Sequence, residues 1–104
     1  LKGTVKLVVL STLIEAPKYG YLIIKEIEKY SNDVFDLREG TLYPILHRLE
    51  SEGYVTSEWK VSKSGRDRRY YKITAKGRAA VATQRDQWAK LVKAVNAVIA
   101  GVKA

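Results

Sequence analysis

The sequence predicts a mostly α, α+β chain in the order helix, helix, helix, β-hairpin, long helix. Three observations predict it: apolar residues at helical spacing in three early segments, two short β-branched and aromatic runs around a polar Gly-containing loop, and a final apolar stripe stepping by three and four. The 104 residues suit one compact unit, and hydrophobic residues at 46% can supply its core.

Residues 3–15 read as a first helix, apolar nearly all round and therefore central to the core. Its run Leu7-Val8-Val9-Leu10-Ser11-Thr12-Leu13-Ile14 follows Lys2 and Lys6, as a signal-peptide core would. A buried helix is the favoured reading, because the run is too short to span a bilayer and leads into Glu15-Ala16-Pro17-Lys18, a helix stop and not a cleavage site. Lys18-Tyr19-Gly20 is a connector. Ile23, Ile24, Ile27 and Tyr30 then form the apolar stripe of a second helix ending near residue 31. Ser31-Asn32-Asp33 is turn chemistry, and Val34-Phe35-Asp36-Leu37 reads as a short extended segment.

A third helix is expected from about Gly40 to Glu52, with Leu42, Ile45, Leu46 and Leu49 on one stripe and Gly53 as its stop. Pro44 is tolerated only in a first turn, so either Thr41 is the N-cap or the first turn is irregular. Residues 54–60 and 68–74 are the strands of a hairpin joined by Val61-Ser62-Lys63-Ser64-Gly65-Arg66-Asp67. Thr74 is a suitable N-cap for a last helix of about residues 75–101. Along that helix Trp88, Val92, Val95, Ile99 and Val102 step by four, three, four and three, Val81 lies one heptad before Trp88, and Leu91 and Val98 widen the seam. This is the pattern of a coiled-coil contact, and it predicts a homodimer.

Composition narrows the function classes. The absence of cysteine removes disulfides, thiolate metal sites and cysteine nucleophiles, and the single histidine, His47, leaves no metal-ligand cluster. Neither a Ser/His/acid set nor a phosphate-cradling glycine loop is present, so an enzyme is not expected and no cofactor is implied. The net charge of +8 is concentrated. From Lys60 to Arg78 there are eight basic residues against Asp67 alone, a net of +7, which leaves only +1 for the rest of the chain. A solvated face mixes signs, and two or three charges are enough to keep a strand edge from aggregating. A one-sign patch of this size suits a polyanion.

This order of elements is that of a winged helix-turn-helix, whose third helix enters the major groove while the hairpin forms the wing. Opposite the apolar stripe of the third helix lie Gly40, Pro44, His47 and Ser51, flanked by Tyr43 and Arg48. Small and hydrogen-bonding side chains there suit close approach to DNA, although a plain solvated face would look the same. The wing carries the stronger signal: Lys63 and Arg66 bracket Gly65 at its tip, and Arg68, Arg69 and Lys72 continue along the returning strand. The competing function is a winged-helix protein-interaction module that binds no DNA.

The chain resembles the PadR family of bacterial transcriptional regulators. The matching text is Pro17-Lys18-Tyr19-Gly20-Tyr21, Glu39-Gly40-Thr41-Leu42-Tyr43-Pro44, Leu46-His47-Arg48-Leu49-Glu50, Glu52-Gly53-Tyr54-Val55, Arg68-Arg69-Tyr70-Tyr71-Lys72-Ile73-Thr74 and Lys76-Gly77, which covers about residues 1–78. The resemblance implies a cytoplasmic homodimeric repressor on a palindromic double-stranded DNA operator, with no membrane association and often with relief by a small molecule. Residues 1–74 would be the DNA-binding part and 75–104 the dimerisation helix of one compact unit, as in the subfamily with a short C-terminal region. The expected DNA-binding residues are Arg38, Gly40, Thr41, Tyr43, Pro44, His47, Arg48, Lys63, Arg66, Arg68 and Arg69. Trp88, Leu91, Val92, Val95, Ile99 and Val102 would form the interface. Some relatives bind flat aromatic compounds between subunits through a tryptophan on this helix, which makes Trp88 the candidate ligand contact; packing in the dimer core is the plainer role for an aromatic on such a stripe.

Overall fold

The computed structural model describes residues 2–61 and 63–102. Ser62 of the expected wing loop, Leu1, Lys103 and Ala104 lie outside the described residues. The elements are α1 (Lys2–Ser11), β1 (Lys18–Tyr19), α2 (Gly20–Tyr30), α3 (Glu39–Ser51), β2 (Val55–Val61), β3 (Asp67–Ile73) and α4 (Ala75–Gly101). This is the winged helix-turn-helix order, and β1, β3 and β2 form an antiparallel sheet in that spatial order.

Helix α1 stops at Ser11, four residues before the expected end. The hydroxyls of Ser11 and Thr12 donate to the Leu7 and Val9 carbonyls at 2.6 and 2.7 Å, competing with the helical ladder. The amides of Thr12, Leu13 and Ile14 then bond three residues back, so the chain leaves the helix in a tightened turn. Two carbonyls of that turn are taken by cations: Lys18 Nζ donates to Thr12, and Arg78 reaches Ile14 at 2.9 Å.

Helix α2 buries Ile23, Ile24 and Ile27, but Tyr30 is 75% exposed and does not belong to the stripe. The helix ends there, and Asn32 and Asp33 turn the chain at φ +51° and +64°, a left-handed conformation that their short side chains tolerate. The segment 34–37 has no strand partner among the described residues. Helix α3 begins one residue earlier than expected, with extended Arg38 at the N-cap position instead of Thr41. Pro44 therefore sits inside the helix, where it removes the N–H that would bond the exposed Gly40 carbonyl.

At its other end α3 closes with Gly53 at φ +83°. The Gly53 and Tyr54 amides donate to the Glu50 and Leu49 carbonyls at 3.0 and 2.9 Å, a Schellman arrangement that turns the chain into β2. Helix α4 packs against the same corner through Gly77, where a β-carbon would overlap the Tyr54 carbonyl. Thr74 caps α4, accepting from the Gly77 amide at 3.1 Å while its hydroxyl donates to the Gly53 carbonyl at 2.7 Å. Thr74→Ala should therefore lower stability by about 1 kcal/mol, read as a reduced urea midpoint; an unchanged midpoint would show that the cap contributes nothing.

The core gathers α1 (Val9, Leu10, with Leu13 just beyond), α2 (Ile23, Ile27), α3 (Leu42, Leu46, Leu49), β2 (Val55), β3 (Tyr71, Ile73) and the start of α4 (Val81). Every α3 residue of the predicted stripe is buried except Ile45, which packs half-buried against the rest. Beyond Val81 helix α4 runs on with Trp88, Leu91, Val95, Val98, Ile99 and Val102 between 44% and 68% exposed.

Candidate nucleic-acid interface

The stripe that anchors α3 in the core turns the opposite face outward. Gly40, Thr41, Tyr43, Pro44, His47 and Arg48 are all exposed. Arg38 precedes them at the helix N-terminus, exposed and only 3.9 Å from Asp36. Arg48 lies 4.0 Å from Glu52, one turn on. Both ion pairs are solvent-exposed and worth little, so both guanidinium groups are available to a partner. Tyr43 is the most constrained of the set: its ring lies against Gly20, and a β-carbon there would meet the Tyr43 hydroxyl at 2.7 Å.

The wing pairs β2 with β3 from Val55↔Ile73 to Val61↔Asp67. Gly65 turns its tip at φ +79°, flanked by exposed Lys63 and Arg66. The next two arginines differ from these. Arg68 is half-buried, with its guanidinium 4.3 Å from the centre of the Tyr19 ring. Arg69 donates from Nε to Ser57 Oγ at 2.8 Å and from Nη2 to Glu50 Oε1 at 3.3 Å.

Strand β1 supplies a part that sequence reasoning treats as a connector. Lys18 and Tyr19 pair with Tyr71 and Tyr70. The Tyr19 and Tyr70 rings meet edge-on at 5.4 Å. Two residues of extended chain carry no periodicity, so only the shared motif text around Pro17–Tyr21 could have marked them. Tyr19 joins Tyr43, His47, Trp59, Arg68 and Tyr71 around a cleft of about 410 Å³ between α3 and the wing. The cleft brings one expected α3 pair, Tyr43 and His47, together with the two wing arginines, while Lys63 and Arg66 stand apart at the tip.

Tyr71 lies behind this cleft, fully buried, and its hydroxyl has no hydrogen-bond partner among the described residues. Burial pushes its phenol pKa up; Arg69 opposes this, and Glu50 and Tyr43 add to it. A raised folded-state pKa means stability that is complete below the ordinary tyrosine value near 10 and is lost as pH rises through the folded value. Tyr71→Phe should accordingly be neutral or slightly stabilising at pH 7 and flatten the alkaline loss of stability above about pH 10. Urea midpoints at pH 7 and 10.5 check this; a clear loss at pH 7 would mean that the hydroxyl is satisfied.

Among the described residues no His/Cys/Asp/Glu group could hold a metal ion, and no helix is long and apolar enough to cross a membrane.

A sequence profile of the Transcriptional regulator PadR-like family matches residues 9–83. A transcriptional regulator of Mycobacterium tuberculosis is 34% identical over 90% of this chain and 84% of its own. Among solved structures, a PadR family transcriptional regulator from Eggerthella lenta is 34% identical, with a TM-score of 0.83 over 97% of this chain and 86% of that one. A PadR-like transcriptional regulator from Bacillus cereus is 28% identical, with a TM-score of 0.84 over 98% and 97%.

Proposed function

The chain belongs to the PadR-like family of transcriptional regulators, and from that premise we propose that it is a homodimeric repressor that reads a palindromic operator with α3 and grips the flanking backbone with its wing. The observation that carries this reading is the placement of the charge. The +7 segment folds into the wing and the start of α4, and the wing borders the exposed face of α3 across one cleft. Duplex DNA favours such an arrangement, because basic side chains on the wing release counterions from phosphates while α3 meets base edges. Thr41, Tyr43, Pro44 and His47 are the proposed groove-facing residues. Arg38, Arg48, Lys63, Arg66 and Arg68 are the proposed backbone contacts.

The exposed apolar seam of α4 supports the dimer. A row of large apolar side chains from Trp88 to Val102 is costly to leave in water, and a second copy of the same helix would cover it. Two α3 helices then meet half-sites about one helical turn apart. Selection of bound duplexes from a random pool tests the reading directly. A palindrome with that spacing is the expected product; absence of any retained duplex at low salt would end it.

A planar aromatic effector between the subunits completes the proposal, with Trp88 as its stacking surface. Trp88 is 44% exposed on the seam, so its indole face is open to a ligand or to the partner helix. The chain has two tryptophans, so a Trp59→Phe variant makes Trp88 the sole indole reporter. Planar aromatic compounds should quench its emission and release the operator. Emission unaltered across such a panel would assign Trp88 to interface packing alone.

A further inference from the structure

A closed triangle of side chains joins α3 to both strands of the wing. Ser57 Oγ donates to Glu50 Oε2 at 2.6 Å, Arg69 Nε donates to Ser57 Oγ at 2.8 Å, and Arg69 Nη2 donates to Glu50 Oε1 at 3.3 Å. Glu50 comes from α3, Ser57 from β2 and Arg69 from β3. Each member therefore holds the other two, and together they tie α3 to the two strands whose connecting loop carries Lys63 and Arg66.

Strand alternation explains why Arg69 differs from its neighbours. Side chains two apart share a sheet face, so Arg69 lies on the same face as buried Tyr71 and Ile73. Arg68 and Lys72 lie on the other. The guanidinium is therefore turned toward α3, where the Glu50 carboxylate neutralises it, and Trp59, paired with it across the strands, has its ring 5.9 Å away. Two of its five N–H donors are engaged by a hydroxyl and a carboxylate, and the carboxylate offsets its charge, so Arg69 has less to offer a phosphate than the exposed cations of the tip.

We propose that Arg69 is a positioning residue, acting through Ser57 and Glu50 to set the angle between the recognition helix and the wing, and not a DNA contact. The inference rests on the DNA-binding reading above, but its physical content is a property of the free protein. Without the triangle, the wing would be held to α3 mainly by the half of the hairpin that enters the core, Val55, Tyr71 and Ile73. The outer half, which carries Lys63 and Arg66, would pivot. Base contacts by α3 and phosphate contacts by the wing must be made together, so a loose angle weakens specific binding most.

Glu50 gives the decisive test, because electrostatics alone and positioning predict opposite signs. Removing a negative charge beside DNA tightens binding if charge is all that matters. If Glu50 holds Arg69, then Glu50→Gln and Arg69→Ala each weaken binding to the selected operator, by roughly three- to tenfold, and the double variant is no weaker than either single. The slope of log affinity against log salt stays at the wild-type value for Arg69→Ala, whereas removal of a phosphate-binding cation lowers it by about one. Arg66→Ala is the comparator in which that drop is expected.

Amide hydrogen exchange of the wing in the DNA-free protein separates this inference from the DNA reading. Faster exchange in β2 and the outer part of β3 in both Glu50→Gln and Arg69→Ala, with unchanged protection in α1 and α2, supports the triangle whether or not an operator has been found. Wild-type exchange in both variants overturns the inference. So does Glu50→Gln binding as tightly as wild type, or a salt slope in Arg69→Ala lowered by one. Should the wild type retain no duplex at all, the DNA reading fails and the exchange result alone decides the triangle.

Discussion

Aspartate at both Val95 and Ile99 should give a folded monomer whose operator affinity is lower by about 10²–10⁴-fold, the advantage that linking two half-site readers confers. Both side chains are exposed in the single chain, at 46% and 68%, so the substitutions cost the monomer little. The winged-helix core does not depend on them. Helix α4 is anchored before this point by its Thr74 cap, by Gly77 against Tyr54 and by buried Val81. In a paired helix the same positions would place four carboxylates in a dry seam with no cation opposite, and such burial is prohibitive. Light scattering after gel filtration reads the oligomeric state, and fluorescence anisotropy on the operator reads the affinity. A variant that stays dimeric would remove Val95 and Ile99 from the interface. A monomer with undiminished affinity would remove the need for pairing.

Charge reversal at the wing tip should produce the second large effect, and of a different kind. Lys63→Glu combined with Arg66→Glu should weaken binding by at least about tenfold on operator and unrelated duplex alike and lower the salt slope by about two, one for each phosphate that is no longer neutralised. Both residues are exposed beside Gly65 at the tip of the hairpin, away from the core cluster, so the thermal midpoint should not move. His47→Ala offers the contrast. His47 is on the outward face of α3, and its loss should alter which sequences are preferred while leaving the salt slope nearly intact. If the wing variant discriminated less between operator and unrelated duplex but kept its slope, the tip would be reading bases and not phosphates.

The two effects separate the jobs of the two ends of the molecule. On the proposed reading, seam substitutions would act through the number of half-sites held at once, and wing substitutions through counterion release at each half-site. A compound lodged against Trp88 would work through the first of these, changing how the two α3 helices are spaced without touching DNA.

Most of the fold was legible because most of it is periodic. The Leu42, Ile45, Leu46, Leu49 stripe and the α2 isoleucines each declare a buried face, and all of these are buried save Ile45, which is half-buried. Thr74 and Gly53 could be read as a cap and a stop because their roles depend on local backbone geometry, and both act so. The misreadings fall where local signals compete or are absent. Ser11 and Thr12 look like interior residues of an apolar helix, yet their hydroxyls bond back to the ladder and tighten its end. Pro44 left a choice between an N-cap at Thr41 and an irregular first turn, whereas α3 starts at Glu39 and runs through the proline with Leu42 and Leu46 buried on either side of it. Tyr30 fits a helical spacing by number and points to solvent, since α2 ends there.

The candidate interface divides in the same way. The order of residues was enough to locate the charge: +7 between Lys60 and Arg78, with Lys63 and Arg66 at a loop that had to be exposed. It was also enough to reveal the apolar seam on the last helix, because a stripe needs only the pitch of the helix to be seen. Which arginines have partners within the protein is decided by long-range packing. Arg68 stacks on Tyr19, a residue of a strand too short to carry a pattern, and Arg69 is held by Glu50 and Ser57, nineteen and twelve residues away in the chain. Periodicity reports which face a side chain shares with its near neighbours. It does not report which distant carboxylate waits on that face, because that partner is brought there by the packing of α3 against the sheet.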